Sequence, residues 1–497
     1  MTPVIQSEIE RGLVEKAKRT LPGGTFGNFP SQVVIREGRG GRVWDESGRE
    51  YVDFLLGSGP MLVGHAHPEV TAAAQARIAQ GTTFFANNRY GIELAEAIVE
   101  AVPCAEQVRF VSTGSEADLY AMRAARAFRK RDKILKFEGG YHGMSDYSLM
   151  SLAPKRPGNF PQPIPDSAGI PRSVREEILV APFNDIQAAA AMVREHRDEL
   201  AGVILEPFQR IIPPMPGFLE GLRKITTEHG VLLIFDEVVT GFRFAYGGAQ
   251  EYYGVVPDIC TLGKVIGGGF PLAAIAGRAE IMAHFDRDKV GDEGFLMQVG
   301  TLSGNPVAAA AGLATIEILR RPGAYERLFA TGRELMSTLA ELLKHSGLTA
   351  QVIGEPPLFD VVFSGEPVRD YRGTLRGDGD MLRRFNALLR ERGVLKGESK
   401  YYVSLAHRPE DIQHTREAWA SALQVLAGRL TGLLFLCDDP GPQRADRRGV
   451  HLDKVAGLQK ALRRGAAVGQ QIARIRRRPG GRPATDDVAG IKSEVAG

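Results

Sequence analysis

The sequence predicts an α/β protein built on a mostly parallel sheet. From about residue 60, short apolar runs alternate with amphipathic stretches, which is the order expected of strands that alternate with helices. The composition, with 43% hydrophobic and 24% charged residues among 497, is ordinary for a globular protein and excludes a collagen-like or wholly disordered chain. The strand candidates are residues 107–111, 133–137, 177–181, 202–205 and 231–235.

The region before this pattern predicts one helix and a small sheet. Residues 7–20 carry apolar side chains every four positions, and a Pro-Gly-Gly segment ends that helix. Three β-type runs at 33–35, 42–44 and 51–54 are separated by glycine-rich turns. They predict a small antiparallel sheet.

The helices expected between the large-sheet strands are 68–80, 93–101, 116–129, 186–196 and 218–229. An alanine-rich helix follows at 306–319. Helices at 324–345, 381–392 and 411–427, with strands at 358–363 and 401–404, predict a second, α+β domain, and the N-terminal strands are candidates for its sheet. The expected division is an N-terminal segment joining the small domain (1–58), a large domain (59–320), a small domain (321–427) and a tail (428–497).

Positive charge is concentrated in the tail. Residues 428–497 hold 14 Lys+Arg against 7 Asp+Glu, a net +7, whereas the whole chain carries +3 and the remainder therefore carries −4. The tail is also rich in arginine, glycine and proline, which predicts a mostly disordered basic segment. The body of the chain gives no reason to expect nucleic acid as a partner.

The cysteine count and the apolar runs bear on the compartment. Three cysteines without metal-ligand spacing predict neither a disulfide framework nor a metal site. No apolar run approaches the roughly 20 residues that cross a bilayer, and the start of the sequence has no secretory pattern. We therefore expect a reduced, cytoplasmic setting and no membrane partner.

Two separated motifs place an acid and an amine where ligands bind in such sheets. Residues 231–235 form a continuous apolar run before Asp236, so a buried strand would deliver this carboxylate at its carboxyl end. A buried anion needs a cationic partner, such as a protonated pyridine nitrogen. Lys264 lies among small and apolar residues, where burial favours the neutral amine that forms a Schiff base. Asp236 also fits a helix cap or turn, and Lys264 a solvated loop.

Three further motifs lie at predicted strand ends or helix starts. Gly114 and Ser115 would offer backbone N–H groups and a hydroxyl at a helix N-terminus, which suits a phosphate. Tyr141 follows a strand and could stack on a heteroaromatic ring. Thr301 precedes the alanine-rich helix and offers another hydroxyl for an anion. Alone, each motif also fits a capped helix or a core side chain.

In this order and spacing, the motifs resemble the class III, fold-type I aminotransferases that use pyridoxal 5′-phosphate (PLP). Within that class, the sequence is most similar to the glutamate-1-semialdehyde 2,1-aminomutases. The similarity covers about residues 7–427. The matching stretches are 59–68, 113–117, 136–143, 234–243 (IFDEVVTGFR), 252–271 (YYGVVPDICTLGKVIGGGFP) and 300–306.

The resemblance implies a fold-type I PLP transferase with a large PLP-binding domain and a small α+β domain. It implies that Lys264 holds the cofactor as an internal aldimine and later moves a proton between the substrate carbon and the cofactor. It implies that Asp236 pairs with the pyridine nitrogen and that Tyr141 stacks on the ring. Gly114 and Ser115 would bind the phosphate.

The resemblance also implies partners. Thr301 would reach the phosphate held by the neighbouring subunit, which implies a homodimer. The small-molecule partners would be an amine and a keto or aldehyde compound.

Three departures from the aminomutase pattern bear on the substrate. The turn at 22–29 lacks the arginine that holds the substrate carboxylate in that pattern, and Ser58 runs directly into Gly59 where the pattern has a tryptophan. Both argue against glutamate-1-semialdehyde. The third is Arg210, which stands where small and polar residues are usual. It is our candidate carboxylate clamp, with a surface role as the alternative, whereas Arg243 is expected to be structural.

The sequence therefore predicts an enzyme that transfers an amino group between an amino compound and a carbonyl acceptor. An intramolecular aminomutase is the alternative, since the chain resembles that group most. A non-catalytic module that binds PLP or a nucleotide is a third hypothesis. The presence of both Lys264 and Asp236 argues against a module that binds PLP without catalysis. The glycine-rich turn typical of dinucleotide binding is missing after the first strand of the large sheet, which argues against a nucleotide-binding module.

Overall fold

The computed structural model describes residues 6–29 and 33–428. All but the first residue of the predicted tail therefore lies outside the described part of the chain. The N-terminal elements are α1 (Glu8–Thr20), β1 (Ile35–Arg39), β2 (Arg42–Asp45) and β3 (Glu50–Asp53). Ser7 caps α1 by accepting a hydrogen bond from the amide of Glu10. The first strand begins at Ile35, where the predicted one ends.

The middle of the chain alternates helices and strands as predicted. Its helices are α2 (Pro68–Ile78), α3 (Arg89–Ala101), α4 (Gly114–Arg129), α5 (Ile186–Glu195), α6 (Phe218–Glu228), α7 (Gly248–Tyr253), α8 (Ala279–Met282), α9 (Arg287–Gly294) and α10 (Pro306–Arg320). Its strands are β4 (Gln107–Val111), β5 (Lys133–Phe137), β6 (Ile178–Ala181), β7 (Leu200–Leu205), β8 (Leu232–Asp236), β9 (Ile259–Leu262) and β10 (Ala273–Gly277).

These seven strands form one sheet in the order β4-β10-β9-β8-β7-β5-β6. The strands from β9 to β6 pair in parallel, whereas β10 runs antiparallel to both of its neighbours. The sequence predicts five of the seven strands, and β9 and β10 were not predicted. Every residue of β7 and β8 is buried, because helices cover both faces of the sheet.

The C-terminal elements are α11 (Ala324–Ser346), β11 (Gln351–Glu355), β12 (Leu358–Val362), α12 (Tyr371–Leu375), α13 (Gly379–Glu391), β13 (Val394–Leu395), β14 (Tyr401–Tyr402) and α14 (Pro409–Leu426). β11, β12 and β14 make a three-stranded antiparallel sheet. β13 pairs in parallel with β3, so the N-terminal strands share a sheet with a C-terminal strand.

The sheet brings several chain segments to one edge. β4 runs parallel to β9, because β10 lies antiparallel to both of them. The carboxyl ends of β4, β5, β7, β8 and β9 therefore face the same side. The segments that follow these five ends carry most of the predicted site residues.

Candidate active site

A cavity of about 540 Å³ opens at these strand ends. Its walls combine the start of α4, the loop after β5, the end of β8 and the turn after β9. Five of the predicted site residues line it: Gly114, Ser115, Tyr141, Asp236 and Lys264.

The two adjacent carboxylates at the end of β8 point to different surroundings. Asp236 lines the cavity, whereas Glu237 is buried on the other side. Glu237 accepts hydrogen bonds from the amide of Ala249, from the hydroxyl of Thr240, and from both the amide and the side chain of Gln250. Glu237 therefore anchors the start of α7, and Asp236 alone is available to a ligand.

Asp236 is held by groups behind it. Nδ1 of His142 lies 2.9 Å from Oδ2 of Asp236, and the amide of Val238 donates to Oδ1 at 3.1 Å. The Thr261 hydroxyl lies 3.4 Å from the same oxygen and donates to Asp118 at 2.6 Å. Burial and the Asp236 charge raise the pKa of Asp118 well above its usual value. Burial at this position therefore disfavours the ionised form of Asp118.

Lys264 follows β9 in a tight turn with a φ of +47°, an uncommon conformation for a residue with a side chain. Its amine faces the cavity, and burial lowers its pKa. The ring of Tyr402 and the aliphatic chain of Lys264 both lie against Gly59. The turn thus holds a lysine in the state that favours a neutral nucleophilic amine.

The start of α4 presents free backbone donors to the cavity. Thr113 is the N-cap, and a capping box joins it to Glu116, whose carboxylate accepts from the amide of Ser112 and from that of Thr113. The amides of Gly114 and Ser115 have no acceptor among the described residues. Two unpaired N–H groups at a helix N-terminus suit an anion such as a phosphate.

Tyr141 lies on the loop after β5, which is held in place by hydrogen bonds with two buried side chains, Lys136 and Glu206. Nζ of Lys136, fully buried, donates to the carbonyls of Gly140, Ser148 and Met150 at 3.2, 2.8 and 2.6 Å. The amide of Tyr141 donates to the carboxylate of Glu206 at 2.9 Å. The loop is thereby fixed with the Tyr141 ring at the cavity wall.

The two candidate arginines differ in surroundings. Arg210 lies at the tip of a turn closed by paired backbone bonds between Gln209 and Ile212, and its guanidinium lies 5.4 Å from the Tyr141 ring centroid. It lines a neighbouring cavity that Tyr141 also borders. Arg243 is fully buried and donates to the carbonyls of Gly59 and Val403. It supports the backbone, as the sequence predicted.

Thr301 is not brought to this cavity. It lies in a separate cleft with Phe84, Phe85 and Val299, where its carbonyl accepts from the hydroxyl of Thr83 at 3.3 Å. This placement leaves its predicted contact with a neighbouring subunit's phosphate as a prediction.

Several residues at the site were not identified from the sequence. Glu206 follows β7, and its position at a strand end is a usable signal. Asp118 and Thr261 lie inside regular elements and carry no local sign of their role. Lys400 follows a polar Gly-Glu-Ser segment that resembles an exposed loop, yet it is buried beside the site.

Comparison with known proteins identifies the family. The model of the Aminotransferase class-III family matches residues 26–406. The chain belongs to the class III aminotransferases. It is an enzyme of amino-group transfer, and its cofactor is PLP. This confirms the predicted family, fold class and cofactor.

Solved structures agree with this assignment. An omega-transaminase from Sphaerobacter thermophilus is 36% identical over 84% of this chain and 97% of its own, with a TM-score of 0.80. A β-phenylalanine aminotransferase from Variovorax paradoxus is 32% identical over 85% of this chain and 95% of its own, with a TM-score of 0.76. A glutamate-1-semialdehyde aminomutase from Pseudomonas aeruginosa PAO1 is 25% identical over 84% of this chain and 94% of its own, with a TM-score of 0.75.

The cavity residues of this class III aminotransferase suit PLP. Asp236 complements the pyridine nitrogen, and the amine of Lys264 complements the aldehyde. The Tyr141 ring complements a face of the pyridine ring, and the free N-terminus of α4 complements the phosphate. All four groups lie around one cavity. In the described part of the chain, no helix is long and apolar enough to cross a membrane. The same residues contain no cluster of three or more acidic, histidine or cysteine side chains suited to a metal ion.

Proposed function

We propose that this class III aminotransferase moves an amino group between two separate molecules, with Lys264 and Asp236 as its catalytic pair. The observation that carries the proposal is that these two side chains line one cavity together with the free N-terminus of α4. That arrangement gives an amine, an acid and an anion site in a single space.

The chemistry of the cofactor is simple to state. When bound, PLP supplies an aldehyde that can hold an amine and a ring that accepts the electron pair left when a substrate carbon loses its proton. Asp236 would keep the pyridine nitrogen protonated, and the histidine ring at 2.9 Å from its Oδ2 would fix the carboxylate's orientation. The raised pKa of Asp118 disfavours a second negative charge beside Asp236.

Lys264 would take the cofactor aldehyde first and yield it to the incoming amine. Its amine would then be free to remove a proton from the substrate carbon and to return it at the cofactor carbon. Burial lowers the pKa of Lys264, so that an uncharged amine is available for both steps.

The remaining residues would bind and orient the ligand. The amides of Gly114 and Ser115 would hold the phosphate, helped by the partial positive charge of the helix start. Tyr141 would stack against the pyridine ring. The loop after β5, held by hydrogen bonds with Lys136 and Glu206, would limit the movement of the Tyr141 side chain. Arg210, beside Tyr141, would meet an acidic group of the substrate.

Transfer between two molecules is favoured over an aminomutase reaction. The first support is the sequence, which lacks the arginine in the turn at 22–29 and the tryptophan after Ser58. The second is that the omega-transaminase shares 36% of aligned residues, against 25% for the aminomutase. A transaminase should release a carbonyl product from its donor, whereas an aminomutase should not.

We further propose that the enzyme is a homodimer and works in the cytoplasm. A cleft lined by Phe84, Phe85 and Thr301 supports the dimer, because exposed apolar side chains surround a hydroxyl that has no role within its own chain's cavity. The cysteine content supports a reduced compartment.

Hydride reduction of the holoprotein tests the role of Lys264. After borohydride treatment and digestion, mass spectrometry should find the pyridoxyl-phosphate mass on the peptide that contains Lys264. Reduction of a Lys264→Ala variant should leave no such mass on that peptide. A label found on another lysine of the wild-type enzyme would reject the assignment.

A donor screen tests the reaction. The holoprotein alone, mixed with one amine at a time, should lose its visible absorbance and release one equivalent of the carbonyl product. A second carbonyl compound should restore the absorbance. Loss of absorbance without any free carbonyl product, together with an isomerised amine, would indicate the aminomutase instead.

A further inference from the structure

Two buried polar atoms close to Asp236 have no hydrogen-bond partner among the described residues. They are Nε2 of His142 and Oε1 of Gln209, and each of these two residues is only 1% exposed. Buried polar side chains are normally hydrogen-bonded, because a polar atom without a partner in the interior costs free energy. Both side chains use their other polar atom, so the fold engages each of them by one end only.

The contacts that these side chains do make determine the character of the remaining atoms. Nδ1 of His142 lies 2.9 Å from Oδ2 of Asp236, so we assign the ring hydrogen to Nδ1, where it is donated to the carboxylate, and Nε2 is then an acceptor. Nε2 of Gln209 donates to the carbonyl of Glu138 at 2.9 Å, which leaves the amide oxygen as the atom without a partner. Two acceptors therefore lack a donor.

Both acceptors lie close to one point beside Gly140. A Cβ built on Gly140 would lie 3.1 Å from Nε2 of His142 and 3.5 Å from Oε1 of Gln209. The carbonyl oxygen of Phe137, also 3.1 Å from that point, already accepts from the amide of Gly140. One donor with two hydrogens would reach both acceptors from there, and a water molecule is such a donor.

The groups around this point are held in place by the backbone. The amide and the carbonyl of Gln209 pair with Ile212 at 3.0 and 2.8 Å, which closes the turn that follows β7. Gly140 is fixed from the loop after β5, because Nζ of the buried Lys136 donates to its carbonyl at 3.2 Å. Gln209 therefore offers an acceptor in a fixed position.

We propose that Gln209 is a positioning residue for the cofactor ring, which acts on Asp236 through a bound water molecule and His142. The water donates one hydrogen to Oε1 of Gln209 and the other to Nε2 of His142, so that the ring hydrogen stays on Nδ1 for Asp236. This inference rests on the proposed pairing of Asp236 with the pyridine nitrogen and extends that pairing by two side chains.

The consequence is a carboxylate that keeps its charge beside the pyridine nitrogen. The hydrogen bond from His142 stabilises the anionic form of Asp236, and a ring that is held at both nitrogens keeps this bond aligned. When the contact at Nε2 is lost, the ring is free to tilt, and the proton between Asp236 and the pyridine nitrogen moves towards the carboxylate. Gln209 thereby influences how well PLP accepts electrons without touching it.

Nitrogen NMR of the holoenzyme tests this influence. The enzyme is reconstituted with PLP that carries an isotope label at the pyridine nitrogen, whose chemical shift reports whether it is protonated. Gln209→Met keeps the length of the side chain and removes its hydrogen bonds. It should move the shift towards the unprotonated value and weaken PLP binding about 3- to 10-fold in an absorbance titration, the range of one hydrogen bond.

Gln351→Met is the matched control. Nε2 of Gln351, at the start of β11, also donates to backbone carbonyls, those of Ser364 and Glu366. Its replacement should leave both the chemical shift and the PLP affinity unchanged. A change of the shift in this variant equal to that in Gln209→Met would show that the measurement reports a general loosening of the fold, and would overturn the proposal.

A double-mutant cycle separates the proposed role from support of the backbone. His142→Asn keeps an N–H group for Asp236 near the position of Nδ1 and has no atom in place of Nε2. In that background, Gln209→Met should lose most of its effect on the shift and on the PLP affinity. Equal effects in the two backgrounds would mean that Gln209 only supports Glu138 and its own turn, and the proposal would be wrong.

Gly140→Ala tests the water molecule. The added methyl group would occupy part of the space between the two acceptors while leaving both side chains in the protein. It should reproduce the change in chemical shift that Gln209→Met causes. A wild-type shift in Gly140→Ala would reject a water bridge at this place.

The inference and the proposed function fail in different ways. Asp236→Asn should move the ring nitrogen to the unprotonated shift whatever Gln209 does, so an unchanged shift in this variant would reject the assignment of Asp236. If Asp236→Asn moves the shift and Gln209→Met does not, the assignment of Asp236 stands and only the role of Gln209 is rejected.

Discussion

Asp118 is a buried carboxyl group whose surroundings disfavour its ionised form. It lines the same cavity as Asp236, accepts a hydrogen bond from the hydroxyl of Thr261, and has its pKa raised by burial and by the charge of Asp236. A second carboxylate there would compete with Asp236 for the proton of the pyridine nitrogen. The raised pKa of Asp118 disfavours this second negative charge.

We predict that Asp118→Asn becomes progressively more stable than the wild type as the pH rises. In the unfolded chain Asp118 ionises above about pH 4, whereas in the folded protein it keeps its proton until the raised pKa is reached. In that window the wild type loses up to about 1.4 kcal/mol per pH unit, and the amide loses nothing. Thermal midpoints of both proteins between pH 5 and 8 provide the measurement.

The matched control is Asp292→Asn, an exposed carboxylate on α9. Its midpoint should follow the wild type across the pH range. A constant difference between Asp118→Asn and the wild type would mean that Asp118 ionises normally in the folded enzyme.

At this scale the sequence predicts the residues that follow strand ends, because such positions share one edge of a parallel sheet. Asp236 and Lys264 were found in this way. Lys400 and Asp118 could not be found, because their burial depends on segments far apart in the chain. Lys400 is enclosed by groups such as Arg210 and Tyr402, and only tertiary structure brings Arg210 near it.

Among the elements, the segment Leu56–Ser58 with Gly59 is the most unusual. All four residues have positive φ, which only glycine adopts without cost. The carbonyl of Gly59 accepts a hydrogen bond from the buried Arg243, and the side chains of Tyr402 and Lys264 lie close to the position that a Cβ would take at Gly59. The segment thus forms a wall of the site whose shape allows no side chain at one point.

We predict that Gly59→Ala disables the site. A Cβ at this position would lie 2.9 Å from Cε1 of Tyr402 and 3.3 Å from Cδ of Lys264, at a φ of +115°. The enzyme should lose bound PLP and at least about 10-fold in kcat/KM, because a small displacement of a reacting group is costly. Gly48→Ala is the control: its φ is +81° with nothing within 4 Å, so it has only the backbone cost of about 1 kcal/mol. Equal effects of the two variants would show that contact with Lys264 is unimportant.

The loop after β5 depends on one lysine. Lys136→Met removes three hydrogen bonds to buried carbonyls, and we expect it to lower the free energy of unfolding by about 3 kcal/mol and to weaken PLP retention through Tyr141. Urea unfolding and the cofactor content after dialysis measure the two effects. Lys133→Met, on the same strand, breaks only a partly exposed pair with Glu199 and should cost less than about 1 kcal/mol. Similar losses in both variants would contradict the role of Lys136.

How well a strand is predicted from the sequence depends on the types of side chain within it. β5, β7 and β8 are continuous apolar runs between turn signals, and the sequence predicts them with small errors at their ends. β10 is the segment Ala-Ala-Ile-Ala-Gly, whose alanines favour helix, so pairing with β4 and β9 rather than local propensity makes it a strand. The predicted domain boundaries stay a prediction.

On the scale of the whole molecule, the described chain presents apolar side chains around the cleft that contains Thr301. Phe85 is 71% exposed, and Phe84, Met297, Val299 and Leu302 are exposed as well. Such a patch on a monomer is unusual and fits an interface between copies of the chain. The cavity of Lys264 lies elsewhere, so Thr301 could complete a site only in another subunit.

We predict that Phe85→Glu converts the enzyme to a monomer with weak PLP binding. A charge in this apolar patch would have to be desolvated in the proposed dimer, and loss of the proposed interface would also remove the contact we propose between Thr301 and the phosphate bound by the neighbouring subunit. Sedimentation velocity should show a dimer for the wild type and a monomer for the variant, and PLP titration should show an affinity lower by about 10-fold or more. Val256→Glu, an exposed apolar residue away from this cleft, should remain a dimer. A dimeric Phe85→Glu with normal PLP affinity would place the subunit interface on another face.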